Sequence, residues 1–385
     1  MKVLIVAGGY LPGFRYGGPV RSLAALVERL GDKIDFNIVT SDRDLGSLHP
    51  YPGIKPDTWM QVGKAKVFYS SSRGYTPWFW QRKLSEVDPD VIYLLGFFGI
   101  GSNLVLANQR LRFLKRIPVI VAPQGEFSEA ALYIKQRKKS IFLKLSKALG
   151  LHDNIFWQAS AEEEQEDIFK TVGRDAKVFV APDLVLSRGR SSRSLTKQTG
   201  DVRFVWISRI VPKKNLDGAI RLLRCVSSGS VAIDVFGPIE DSRYWDECQG
   251  ELAALPATVM FNYRGELVHD QVPDTVARYH FLFFPTHGEN FGHVIAEALD
   301  QGLPVLLSDQ TPWRRLEQEG VGWDMALEDT EKWSNIIARC IDMDDIEYNQ
   351  MSRASQGYVD RWTEEHGGLE SYFKMFSLVA ESTPA

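Results

Sequence analysis

Short apolar runs rich in β-branched residues recur along the chain, each closed by turn residues and separated from the next by a stretch of helix length. In the first half they read KVLIVAG (Lys2 to Gly8), FNIVTS, AKVFYS, DVIYLLG and PVIVAPQG, with a helix predicted over Pro19 to Leu30. In the second half they read RFVWISR (Arg203 to Arg209), AIDVFGP, TVMFNYRG, FLFFPT and LPVLLSD, with helices predicted from Asn215 and after Gly292. Near-continuous apolar runs alternating with helices are the pattern of a parallel sheet buried on both faces. The fold class that follows is α/β: two doubly wound, Rossmann-like domains in tandem, facing one another across a cleft. Between them Ser187 to Gly200 is rich in Ser, Gly and basic residues and reads as a surface linker.

Composition narrows the class. A chain of 385 residues has material for two cores, and 44% hydrophobic with 24% charged residues is ordinary for a folded protein. No apolar run has the length of a membrane span, and the N-terminal run is too short for a signal peptide, so it reads as a buried first strand. Cys225, Cys248 and Cys340 are scattered without metal-ligand spacing, which suits a reducing cytoplasm and gives no metal site. Residues 1–180 hold 25 Lys/Arg against 18 Asp/Glu, and the remainder 20 against 31, so the halves differ electrically. A pI near 6.0 without a recognisable binding module excludes nucleic acid as the expected partner.

Open α/β sheets bind ligands at the carboxyl ends of their strands, so chemistry is sought there. After the first strand, Gly17 and Gly18 precede a helix, where close backbone approach and free amides favour a phosphate. The dinucleotide fingerprint G-x-G-x-x-G is absent, and Asp42 and Asp44 in SDRD read as surface residues, which disfavours a nicotinamide enzyme. In WISRIVPKKNLDGAI, Arg209 ends a strand and Lys214 precedes a helix; a guanidinium fork and a mobile ammonium together suit a diphosphate. In THGENFGHVIAEALD, Val294, Ile295, Ala298 and Leu299 have the spacing of one buried helix face. Glu289 then lies in the loop before that helix, and Glu297 within it, off the buried face. The amides of Asn290, Phe291 and Gly292 form the positive helix terminus between them. Carboxylates do not bind phosphate, so their partners are hydroxyls on either side of one: ribose hydroxyls for Glu297, sugar hydroxyls for Glu289. A nucleoside-diphosphate sugar satisfies every group.

The Glu-x7-Glu stretch ENFGHVIAE, the SRIVPKKN segment and the GGPVRS loop together resemble a retaining glycosyltransferase of family 4, with the two-Rossmann architecture called GT-B. The resemblance extends over QGEFSEAALYIKQRKK and ASAEEEQEDI and so covers nearly the whole chain. It implies that Arg209 and Lys214 hold the donor diphosphate and stabilise the leaving group. It also implies that Glu297 binds ribose, that Glu289 with the amides from Asn290 to Gly292 binds the donor sugar, and that Gly17 and Gly18 face the phosphates. The division it implies is residues 1–185 as the acceptor-binding domain, 201–355 as the nucleotide-sugar donor domain and 356–385 as a helix crossing back to the first. Many relatives carry a histidine where this chain has Gln124, an acceptor-side position; an amide hydrogen-bonds a hydroxyl but is neither acid nor base.

The expected activity is transfer of a sugar, with retention, from a nucleoside-diphosphate sugar to a saccharide or lipid-linked saccharide in bacterial surface polysaccharide or glycoconjugate synthesis. Neither cofactor nor metal is expected. A nucleotide-sugar epimerase or a phosphorylase of the same architecture is the alternative, and a catalytically silent sugar-nucleotide-binding protein is a third. The stretch Tyr133 to Leu149 reads as a helix carrying Lys135, Arg137, Lys138, Lys139, Lys144 and Lys147 beside Ile141, Phe142 and Leu145. Such a helix suits either peripheral contact with the inner face of an anionic membrane or a solvated surface.

Overall fold

The computed structural model describes residues 1–71, 75–110, 116–133, 136–186, 195–267 and 271–382. The chain divides into two compact units, Met1–Leu186 with Thr363–Ala385, and Ser187–Trp362.

The first unit is built on eight strands: β1 (Lys2–Val6), β2 (Asp35–Ser41), β3 (Trp59–Val62), β4 (Ala65–Ser70), β5 (Val91–Leu95), β6 (Val119–Ala122), β7 (Ile155–Ala159) and β8 (Lys177–Val180). Their order in the sheet is β3-β4-β2-β1-β5-β6-β7-β8. Every pair is parallel except β3 with β4, an antiparallel edge hairpin that the apolar pattern did not announce. In β1, Val3 and Ile5 join one core while Leu4 and Val6 join the other, which is why its sequence is apolar without alternation. The first core is covered by the helix Gly18–Leu30 and by the helix Gly368–Glu381, whose Tyr372, Met375, Phe376 and Val379 pack beside Phe36 and Tyr93. The second is covered by the helices Pro77–Val87 and Ile100–Arg110.

The second unit carries β9 (Asp201–Ile207), β10 (Ser230–Phe236), β11 (Val259–Gly265), β12 (Phe281–Phe284), β13 (Val305–Ser308) and β14 (Gly322–Met325). All are parallel, in the order β11-β10-β9-β12-β13-β14. The chain moves outward from β9 to β11, then returns to the other side of β9 with β12. The loops after β9 and β12 therefore diverge from neighbouring strands at a topological switch point, where doubly wound sheets leave a crevice.

Most of the expected linker, residues 187–194, lies outside the described residues, as does Lys135. The end of that stretch is not a surface linker. Lys197 is buried, and its ammonium donates to the carbonyls of Ile341 and Met343, both at 3.0 Å, at the end of the helix Thr330–Asp342. A cation there satisfies carbonyls that have no partner further along the helix.

Of the basic stretch, Gln136–Ala148 is helical and follows the short helix Glu129–Tyr133; the two residues between them lie outside the described residues. Phe142 turns inward against Phe97 and Phe98, whereas Ile141 and Leu145 face outward, 59% and 56% exposed. Among the described residues no helix is long and apolar enough to cross a membrane.

Candidate active site

The path after β9 is fixed by its neighbours. Ser208 N–H donates to Phe236 O at 3.0 Å and Ile210 N–H to Pro238 O at 2.9 Å, so the segment follows the chain leaving β10. That approach needs Gly237: at φ 143, a Cβ there would sit 1.7 Å from the Ser208 carbonyl oxygen. Arg209 emerges from this segment half in solvent and pairs with Glu240 at 2.9 Å. A single turn, Pro212–Lys214, then brings Lys214 inward. Asn215 follows in the left-handed region, φ 56, ahead of the helix Leu216–Leu222, and its amide donates to Pro285 O at 2.7 Å.

That last bond staples the β9 loop to the β12 loop. Thr286 Oγ1 donates to the Lys213 carbonyl at 3.1 Å, and His287 N–H reaches the same oxygen at 3.0 Å. Ser308 at the end of β13 donates to Thr286 O at 2.5 Å, and Glu289 N–H donates to Gln310 O at 3.0 Å. The ends of the neighbouring strands β9, β12 and β13 are thus tied together by the chain's own hydrogen bonds. Within this frame the Lys214 ammonium is hydrogen-bonded to Glu289 Oε1, both side chains being largely buried.

Past Glu289, Asn290 is half-buried and Gly292 adopts φ 82 to start the helix His293–Asp300. Any other residue at Gly292 would bring a Cβ within 2.7 Å of the Ile295 side chain. Phe291 is buried, its ring packed among His293, Trp313 and Trp362, and its carbonyl accepts the Trp313 indole N–H at 2.5 Å. Its side chain is therefore core, and only its backbone faces the loop. The buried helix face is Ile295, Ala296, Ala298 and Leu299 with His293 and Asp300, while Val294, expected there, is half-buried. Glu297 lies one turn beyond the helix start, half-buried.

The remaining expected residues belong to the first unit. Gly17, at φ 69, caps the helix Gly18–Leu30, with open space where a Cβ would point. The loop before it is held by Asp44, whose carboxylate accepts the backbone N–H groups of Phe14 at 2.9 Å and Arg15 at 3.1 Å. Asp42 is buried and bonded by Arg43 at 2.8 Å. The reading of Asp42 as a surface residue is corrected by its burial on Arg43, and half-buried Asp44 orders the loop before Gly17, because a carboxylate accepts several N–H groups where the chain turns sharply.

Gln124 and Gly125 both take left-handed conformations, φ 54 and 78, after β6. Glu164, from the helix Glu162–Val172, accepts Gly125 N–H at 2.6 Å and both the N–H and the hydroxyl of Ser160. Glu126 accepts Phe97 N–H at 2.5 Å and Phe98 N–H at 3.0 Å. Burial raises the pKa of both carboxyls against these hydrogen bonds. Sequence reasoning did not single out either one. The signal for Glu164 was its i, i+4 spacing to buried Ile168; for Glu126 it was only its place at a strand end.

Of the expected set, Lys214 and Glu289 are in contact, Arg209 is on Glu240, and Gly17, Gly18 and Gln124 lie in the other unit. Among the described residues no three His, Cys, Asp or Glu side chains gather as a metal-holding group.

Residues 187–357 match the sequence model of the family Glycosyl transferases group 1. No curated protein matches the chain. Solved structures that share its fold include sucrose-phosphate synthase from Thermosynechococcus elongatus, at 14% identity and a TM-score of 0.68, covering 99% of this chain and 100% of that one. WaaG, described as a glycosyltransferase involved in lipopolysaccharide biosynthesis, is 12% identical with a TM-score of 0.65 over 99% of this chain and 100% of its own. Anabaena HepE in complex with UDP-glucose is 16% identical with a TM-score of 0.64 over 100% of both chains. The family match is thus confined to the second unit, and the likeness to these solved structures extends over the whole chain and gives it the GT-B fold.

Proposed function

We propose that the protein transfers a sugar from a nucleoside-diphosphate sugar to a saccharide or lipid-linked saccharide, with retention of configuration and without a metal. The observation that carries this reading is the meeting of Lys214 and Glu289 at the β9–β12 switch point, a cation for phosphate beside a carboxylate for hydroxyls, at the start of a helix. Relatives in fold were solved with UDP-glucose and with UDP and glucose, which supports the same donor class here.

In this reading Arg209 and Lys214 bind the diphosphate and, with the helix terminus, stabilise the charge that grows as the bond from the sugar C1 to the phosphate oxygen breaks; such preorganised charge is worth several kcal/mol. The acceptor hydroxyl attacks C1 from the same face, and its proton passes to the departing phosphate oxygen. Glu289 orients the sugar, Glu297 the ribose, and Gln124 hydrogen-bonds an acceptor hydroxyl without moving a proton. The helix Gln136–Ala148, with Arg137, Lys138, Lys144 and Lys147 exposed beside Ile141 and Leu145, presents this unit to an anionic membrane surface that holds the lipid-linked acceptor.

Incubation with a panel of UDP-, GDP- and ADP-sugars and oligosaccharide acceptors, with and without EDTA, tests the reading by diphosphate release and by the anomeric configuration of the product. Retained configuration in EDTA is expected. Inverted product, or epimerised sugar released without acceptor, overturns it.

A further inference from the structure

Both donor-side cations are paired with carboxylates of the same unit. Lys214 is held by Glu289 with side chains only 10% and 13% exposed, while Arg209 is held by Glu240 with side chains 56% and 41% exposed. The two pairs therefore differ in what it costs to open them. The outer pair is screened by water and contributes little. Opening the inner one leaves a carboxylate in a place with little solvent, and a single buried charge without its partner is strongly unfavourable.

We infer that Glu289 is the counter-ion a diphosphate must displace from Lys214, and that this exchange makes the site favour an intact sugar nucleotide over the sugar-free nucleoside diphosphate. The inference rests on the donor reading above. A diphosphate that takes Lys214 strips Glu289 of its partner and lies beside its negative charge. An intact donor brings sugar hydroxyls, which donate to the carboxylate and complete the exchange. After transfer the sugar is gone, Glu289 is again without a donor, and its return to Lys214 drives the diphosphate out. The staples between the β9 and β12 loops matter here, because they tie together the two loops that carry Lys214 and Glu289. Glu289 thus acts as a specificity and product-release group as well as a sugar ligand.

Calorimetry with UDP, GDP and ADP, and with UDP-glucose, GDP-mannose and ADP-glucose, on the unaltered protein, Glu289→Gln and Glu240→Gln tests this. Glu289→Gln is expected to bind the diphosphate at least roughly tenfold more tightly, in line with removal of a close like charge, and the sugar nucleotide no more tightly. Its product inhibition by the diphosphate deepens by the same factor. Glu240→Gln is expected to shift both ligands by one common factor, leaving their ratio unchanged. Glu289→Ser removes the charge with a smaller side chain and gives the same ordering if Glu289→Gln folds poorly. Should the unaltered protein bind a diphosphate and neither Glu289 variant bind it more tightly, the inference fails and the donor reading stands. Should the unaltered protein bind none of the six ligands, the donor reading fails and the inference with it.

Discussion

Lys214 and Arg209 are both cations at the end of β9, yet their surroundings assign them different risks. Lys214→Ala leaves the Glu289 carboxylate buried without a partner, so it is expected to lower turnover by at least about a hundredfold and stability by about 3 kcal/mol. Arg209→Ala is expected to lower turnover comparably while leaving thermal unfolding nearly unchanged, because its pair with Glu240 is largely solvated. Rate assays beside melting curves check both. A second residue governs stability against acid. His280 is buried with Nδ1 accepting Arg203 N–H at 3.0 Å, and desolvation pulls its pKa from 6.5 down to about 4. The folded state keeps it neutral while the unfolded chain takes a proton, so its contribution is fully present above pH 6.5 and lost as pH falls towards about 4. His280→Asn, which keeps an acceptor for Arg203, is expected to flatten that part of the stability profile in urea titrations. That Lys214 and Glu289 each sit at a strand end was legible in SRIVPKKN and THGEN. Their direct pairing was not, because 75 residues separate them and only the strand order makes β9 and β12 neighbours.

Elements were legible where composition and length agreed. β1, β2, β4, β5, β6 and the inner strands of the second sheet are apolar runs closed by turns, whereas β14 (GWDM), β3 (WMQV) and β7 (IFWQA) carry polar or bulky residues that blur the pattern. In β7 the interior Gln158 is tolerated because Tyr93 OH donates to its oxygen at 3.1 Å and its amide donates to Ala181 O at 2.6 Å. That is a tertiary arrangement no local window contains. The helix Gln136–Ala148 makes the membrane proposal testable as an element. Lys139 is a poor probe, since its ammonium donates to Ala131 O at 2.7 Å and lies 4.9 Å from the Phe98 ring centre. Lys138 and Lys144 are exposed, each worth roughly 1 kcal/mol near an anionic surface. Reversing both to Glu is expected to reduce sedimentation with anionic liposomes about tenfold or more and leave sugar-nucleotide affinity unaltered. Unaltered protein that ignores such vesicles at low salt makes this helix a solvated face.

At the scale of the whole molecule, the first unit draws its core from two distant parts of the chain. Phe376 is fully buried, 5.4 Å from the Tyr93 ring and 6.2 Å from Phe36. Phe376→Ala is expected to cost about 3–5 kcal/mol, lowering the unfolding transition of the first unit while the second keeps its ligand-dependent stabilisation. Scanning calorimetry with and without a nucleoside diphosphate separates the two. The spacing of Tyr372, Met375, Phe376 and Val379 announces an apolar helix face, but nothing in it says which sheet receives that face. The same helix sets an order of events during synthesis. β1 to β8 leave the ribosome well before Gly368–Glu381 exists, and β9 to β14 with their helices are complete in between. Domains fold as units when their parts are present, so the half of the chain made first is the half finished last, and until Val379 emerges the apolar face around Phe36 and Tyr93 lacks the helix that completes its cover.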